Sequence, residues 1–162
     1  MKILIADKLS PKAIAALEKL GADITSNPDL KAEDLGGAIG NANVLIVRST
    51  KVYAETIEAG KSLELIIRAG AGVNNIDLEK ASSSGVYVAN CPGKNSDAVA
   101  ELALGHIIAC DRRIVDASLD LRNGNWKKKA YQNAAGLKGR TMGIIGLGSI
   151  GGALAKLAKG LD

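Results

Sequence analysis

The chain has 162 residues, with 21 Lys and Arg against 17 Asp and Glu, 47% hydrophobic and 2% aromatic residues, 19 Gly and 3 Pro. High apolar content at low net charge excludes a disordered chain, and the absence of a Gly period excludes a collagenous one. No apolar run approaches the ~20 residues that a membrane-spanning helix needs.

That length suits one ordinary domain or parts of two. The opening Met1-Lys2-Ile3-Leu4-Ile5-Ala6-Asp7 turns polar too early for a signal peptide. Cys91 and Cys110 match no zinc or redox spacing. They read as small buried hydrophobes of a protein in a reducing cytoplasm.

Short β-branched runs then recur: Ile3–Ala6, Ala22–Thr25, Val44–Val47, Leu65–Ile67 and Val86–Val88. Helix-period stretches lie between them. Ala13, Leu17 and Leu20 share one face, opened by Ser10-Pro11, a cap followed by proline at the first helical position. Tyr53–Ala59 and Asp77–Ala81 are the later helices, with Asp77 as a cap. Alternating strands and helices predict a parallel sheet with helices on its faces, and near-continuous apolar strands predict burial on both sides.

Asn90–Ser96 is a turn-rich joint. After it the pattern predicts one long helix over 97–121, apolar almost all round in its first half and so buried between layers or between subunits. His106, the only histidine, falls mid-helix on the face of Leu102 and Ala109 and reads as a core or interface residue. From Arg112 to Arg140, eight Lys or Arg face only Asp116 and Asp120, with Trp126 and Tyr131 interleaved. A nucleic-acid surface is one reading. A solvated face is preferred, because no nucleic-acid module accompanies the charge.

The last segment predicts a buried strand over 141–146, a glycine turn and a helix over 150–160. Gly146-Leu147-Gly148-Ser149-Ile150-Gly151 is G-x-G-x-x-G with a strand before it and a helix after it, the context in which this motif signals a dinucleotide. Gly146 makes the tight turn, Gly148 admits a pyrophosphate and Gly151 lets the helix approach. Amides at the helix start, Ser149 and Ile150 among them, face the phosphates. The ribose-binding acid belongs about 20 residues further on, and Asp162 lies too early for it. Upstream, Arg48 follows the third strand, where an anion docks in an open α/β sheet. Gly70 and Gly72 follow the fourth strand and permit an anion-cradling turn.

Taken together, Val47-Arg48-Ser49-Thr50-Lys51-Val52, Arg68 to Asp77, Asn90 to Ser96 with Val99-Ala100-Glu101, Arg122-Asn123-Gly124-Asn125-Trp126, and Leu137 to Thr141 leading into the glycine motif resemble the D-2-hydroxyacid dehydrogenase family, in particular its phosphoglycerate dehydrogenase branch. The resemblance implies an α/β protein: a flavodoxin-like parallel-sheet substrate domain at 1–93, lacking its C-terminal return, then the opening of a Rossmann NAD-binding domain at 94–162. It implies NAD as cofactor and oxidation of 3-phosphoglycerate to 3-phosphohydroxypyruvate, the entry to serine biosynthesis.

By the same resemblance, Arg48, Ser49, Gly70, Ala71, Gly72 and Asn95 face the substrate. Ala71, Gly146, Gly148, Ser149, Ile150 and Gly151 face the cofactor. The family's catalytic Arg, Glu and His fall beyond position 162, and His106 matches none of them. Homodimerisation through the helix at 97–121 is implied, with no nucleic-acid or membrane partner. The loop at Arg48–Lys51 is one residue shorter than is usual in the family, and Asn74 stands where Asp is common. Other members, acting on glyoxylate, lactate or formate, and a non-catalytic binding or dimerisation module are the alternatives.

Overall fold

The computed structural model describes residues 1–161; Asp162, considered above for the ribose, lies outside the described residues. The chain divides into two units, Met1–Lys94 and Asn95–Asp162.

The first unit alternates strands and helices: β1 (Lys2–Ile5), α1 (Pro11–Glu18), β2 (Asp23–Ser26), α2 (Leu35–Ala38), β3 (Val44–Val47), α3 (Ala54–Ala59), β4 (Leu65–Arg68), α4 (Leu78–Ser83) and β5 (Tyr87–Ala89). All strand pairs are parallel, in the order β2-β1-β3-β4-β5. This is the flavodoxin-like order.

The central strands β1, β3 and β4 carry apolar residues on both faces because both faces are covered, whereas the edge strands β2 and β5 are mostly exposed, against the expectation of burial on both sides. Leu4, Leu45, Val47 and Ile66 point to one side, into a core with Leu35, Ile39, Ile57 and Ala81 from the helical stretches. Ile3, Ile5, Val44 and Ile46 point to the other side, where Ile14 and Leu17 of α1 cover them. Two helix starts are set by side chains: Ser10 Oγ accepts from the Ala13 amide at 3.2 Å and Asp77 Oδ1 from the Lys80 amide at 2.9 Å. Such caps satisfy amides that have no partner within the helix. Helix α2 carries no readable period, since it is four residues long and two of them are glycine.

The second unit holds α5 (Ser96–Arg112), α6 (Ile114–Arg122), a 3-10 turn at Lys128–Tyr131, α7 (Ser149–Ala158) and a 3-10 turn at Lys159–Leu161. The chain departs from the sequence-based expectation in four further ways. First, the helix expected at 97–121 is broken at Arg113, which adopts a left-handed conformation with φ 50°. The Arg113 guanidinium lies 4.9 Å from the Tyr131 ring centroid, its Nη1 donates to the Ala130 carbonyl and its Nε pairs with Asp116. Those contacts anchor a backbone angle that a β-carbon disfavours.

Second, no strand forms over 141–146. A strand needs a neighbour to accept its ladder bonds, and among the described residues this unit holds none. Ile145 is therefore fully exposed instead of buried.

Third, α5 is less buried than its apolar composition predicts. Only Ser96 and Ala100 are buried, while Leu102 and His106 are exposed, so His106 is not a core residue here. Fourth, Cys91 and Cys110 are exposed thiols, not buried hydrophobes. Helix α5 packs against α7. Among the described residues no helix is long and apolar enough to cross a membrane, and no group of His, Cys, Asp or Glu is placed to hold a metal ion.

Candidate functional site

In the first unit the chain leaves β1 toward β2 on one side of the sheet, and builds β3, β4 and β5 on the other. The crevice beyond the carboxyl ends of β1 and β3 is the topological switch point, where open α/β sheets bind ligands. Arg48 and Ser49 stand there, both exposed, directly after β3. Asp7, two residues past β1, stands opposite. Its Oδ2 accepts from the backbone amides of Arg48 at 2.7 Å, Ser49 at 3.1 Å and Thr50 at 3.0 Å. Burial works to raise the carboxyl pKa, but the amides of Arg48, Thr50 and Ser49, with the Thr50 hydroxyl, outweigh it and hold Asp7 below the ordinary carboxylate value.

Nothing in the local sequence marks Asp7 as a site residue. Its partners lie more than forty positions away, so only the pairing of β1 with β3 brings them together. The loop is fastened from its other end as well. Asn75 Nδ2 donates to the Thr50 carbonyl at 2.8 Å, and the Val52 amide donates to the Asn75 carbonyl at 2.8 Å.

Gly70, Ala71 and Gly72 follow β4, the strand next to β3. The Ala69 amide donates to the Val47 carbonyl at 2.7 Å, continuing the ladder just past the strands. From the β5 side, the Cys91 amide donates to the Gly70 carbonyl at 2.9 Å and Asn90 Nδ2 to the Ala71 carbonyl at 2.6 Å. The two glycines do not act here through left-handed backbone angles, since neither has a positive φ. Gly70 instead leaves room for a side chain: a β-carbon there would lie 1.9 Å from Arg68 Nη1. Arg68 Nε and Asn75 Oδ1 are buried without a hydrogen-bond partner. The structure thus brings Arg48, Ser49 and Gly70–Gly72 onto adjacent loops at one end of the sheet.

In the second unit, Gly146 turns with φ +92° and Gly148 caps α7, whose first turn closes through the Gly152 amide on the Gly148 carbonyl at 2.8 Å. The three motif glycines differ in what a β-carbon would meet. At Gly151 it would lie 2.1 Å from the Gly146 carbonyl oxygen, whereas at Gly148 it would meet nothing within 4 Å. The turn is therefore tight beneath and open above, with Ser149 and Ile150 exposed at the helix start. These residues fit a dinucleotide's pyrophosphate, which needs close access to backbone and a helix N-terminus. Asn95 stands exposed at the start of α5 and its side chain makes no capping bond.

The basic stretch is solvated. Arg113, Lys127 and Arg140 pair with Asp116, Asp120 and Asp111 at 3.3, 3.0 and 3.3 Å. Tyr131 Oη also donates to Asp120; the bond raises the Tyr131 pKa and lowers that of Asp120. An open cavity of about 600 Å³ with Ile114, Leu121 and Trp126 among its walls lies beside this cluster, and the glycine turn does not line it.

Comparison with known proteins shows the family. The family described as D-isomer specific 2-hydroxyacid dehydrogenase, catalytic domain, matches residues 3–152. The chain is 43% identical to hydroxypyruvate reductase of Thermotoga maritima over 97% of its own length and 51% of that protein. It is 42% identical to D-3-phosphoglycerate dehydrogenase of Methanocaldococcus jannaschii over 98% of its length and 30% of that protein. Among solved structures, NAD+-bound 3-phosphoglycerate dehydrogenase of Entamoeba histolytica superposes with a TM-score of 0.79 at 32% identity, covering 99% of this chain and 51% of that one. The chain thus spans between about a third and a half of the relatives it matches. With a five-stranded parallel sheet, a glycine turn at a helix start and a family match across nearly all of its residues, the chain belongs to the D-isomer specific 2-hydroxyacid dehydrogenases.

Proposed function

We propose that this chain supplies the substrate domain (1–93) and the opening of the NAD-binding domain (94–162) of a cytoplasmic oxidoreductase that converts 3-phosphoglycerate to 3-phosphohydroxypyruvate at the entry to serine synthesis. The carrying observation is the exposed Arg48-Ser49 pair at the β1/β3 switch point. A guanidinium beside a hydroxyl suits a substrate with two anionic ends, because arginine grips carboxylate and phosphate through paired, charge-assisted hydrogen bonds. Gly70, Ala71 and Gly72 form the neighbouring wall, and the family resemblance assigns Asn95 to the substrate as well. The same resemblance assigns Ala71 to the cofactor, and Gly146, Gly148, Ser149, Ile150 and Gly151 to its pyrophosphate.

NAD, held by the glycine turn, would supply the acceptor for a hydride from C2 of the hydroxy acid. The hydroxyl proton goes to a general base, and no residue of this chain is assigned that role, so the chain by itself is catalytically incomplete. The test is a titration of the 162-residue chain with 3-phosphoglycerate and with D-glycerate, followed by NMR. The phosphorylated acid is expected to bind at least tenfold more tightly, and Arg48→Ala is expected to abolish the difference. Equal affinities in the native chain would refute the phosphorylated substrate.

A second reading, a 2-hydroxy acid without phosphate, draws support from the 43% identity to a hydroxypyruvate reductase. Equal affinities would select it. In either reading we propose a homodimer formed through the helices over 97–121, where large apolar side chains stand exposed.

A further inference from the structure

We propose that Asp7 is a positioning residue of the anion site, its carboxylate filling the amide nest of residues 48–50 so that an incoming anion is held by the Arg48 and Ser49 side chains instead of by backbone. The inference rests on the reading of Arg48 and Ser49 as the substrate's anion site. Three consecutive amides converge on a single oxygen, Asp7 Oδ2, at 2.7, 3.1 and 3.0 Å. Successive amides turned toward one point form the concavity that usually receives a phosphate or carboxylate. It sits at the switch point, where the ligand of an open α/β sheet binds. Here the protein's own carboxylate already occupies it.

Two consequences follow for the loop. The backbone of Arg48 and Ser49 is fixed from one side by Asp7 and, through Thr50, from the other by Asn75. Side chains held on a fixed backbone lose less freedom on binding, which raises affinity without a new contact to the ligand. The negative charge of Asp7 also repels a second anion from the nest, which leaves the guanidinium of Arg48 and the hydroxyl of Ser49 as the acceptable seat. Asp7 thereby sets which atoms meet the substrate while touching none of it.

The test uses the 162-residue chain in native, Asp7→Ala and Asp7→Asn forms, with and without added formate, a carboxylate small enough for the vacated nest. Two readings are taken: amide hydrogen exchange at Ser49 and Thr50 without ligand, and the Kd for 3-phosphoglycerate by NMR. In Asp7→Ala, exchange at both amides is expected to accelerate at least tenfold while Leu45 and Ile46 within β3 stay protected. The Kd is expected to rise at least fivefold. Formate is expected to return both toward native values in Asp7→Ala and to leave the native chain unchanged, a rescue that general destabilisation does not show.

Asp7→Asn, of the same shape with a weaker acceptor, is expected to fall between; it is the comparison to use should the alanine variant not fold. Native exchange and native affinity in the variants would overturn the proposal. If the native chain fails to bind 3-phosphoglycerate, the substrate reading falls by itself. Exchange at Ser49 and Thr50, with its formate rescue, then still decides whether Asp7 positions the loop.

Discussion

A β-carbon at position 151 would press on a backbone oxygen 2.1 Å away, whereas one at position 70 would press on the far end of the Arg68 side chain. The first contact cannot be relieved by rotating a side chain and the second can. Gly151→Ala is therefore expected to destabilise the second unit by about 1–3 kcal/mol, the range for overpacking a fitted site, while Gly70→Ala needs only a new Arg68 rotamer. Gly148 has open space above it and an extended conformation that alanine adopts. Gly148→Ala is expected to cost no more than about 1 kcal/mol of capping yet weaken NADH binding at least tenfold, because it fills the approach to the pyrophosphate. Thermal melts beside NADH fluorescence titrations separate the two effects. Native NADH affinity in Gly148→Ala would remove the proposed role of that glycine. Asp7 carries a pH dependence of its own. Its folded pKa lies below the ordinary carboxylate value, so its contribution to stability is complete above the unfolded pKa of about 3.9 and is lost as pH falls through the lower folded value. Urea midpoints are expected to separate native chain from Asp7→Asn at pH 5 and to converge toward pH 2. A gap that stays constant over this interval would show that the amide nest does not favour the ionised carboxyl. Of these residues, the glycines were legible as a motif with assigned roles. Asp7 was not, because its role depends on strand pairing between distant segments.

At the scale of elements, local chemistry was legible where one residue could supply it. Ser10 before Pro11, and Asp77 before its helix, marked the starts of α1 and α4, and both side chains accept the capping bond. Asp77→Ala leaves the Lys80 amide unpaired in the first turn and is expected to cost about 1 kcal/mol, read as a lower urea midpoint; Ser10→Ala, in which the Ala13 amide keeps its 2.9 Å bond to the Ser10 carbonyl, is expected to cost less. An unchanged midpoint in Asp77→Ala would mean that water replaces the cap without loss. The break between α5 and α6 was not legible, since Asp111-Arg112-Arg113-Ile114 contains neither glycine nor proline. Contacts to Ala130 and Tyr131, 17 and 18 positions further on, hold Arg113 in its left-handed conformation. The unformed strand at 141–146 teaches the complementary lesson. Apolar sequence predicts burial only where a partner surface exists, and Ile144-Ile145 has no neighbouring strand among the described residues.

For the whole molecule, period and spacing were enough to read five parallel strands and their intervening helices, because the apolar runs of the central strands β1, β3 and β4 answer to two covered faces. The pattern could not show what covers the helices of the second unit. Leu102 on α5 and Val115, Leu119 and Leu121 on α6 are more than half exposed, as is Trp126 just beyond. Val115 and Leu119 stand four residues apart on one face of α6, and exposed apolar side chains placed side by side mark interaction sites. A second copy of the chain is the occupant expected here, since most soluble oligomers are symmetric pairs that bury the same patch on both partners. Light scattering of the 162-residue chain, whose monomer mass is 16.7 kDa, is expected to give roughly twice that value. Leu119→Lys places a charge on this face of α6 and is expected to shift the protein toward monomer without unfolding it, because Leu119 is exposed in the single chain. A native chain that scatters as a monomer at micromolar concentration would sink the homodimer. A native dimer left intact by Leu119→Lys would move the interface away from α6 and toward the exposed edge of α5 around Leu102.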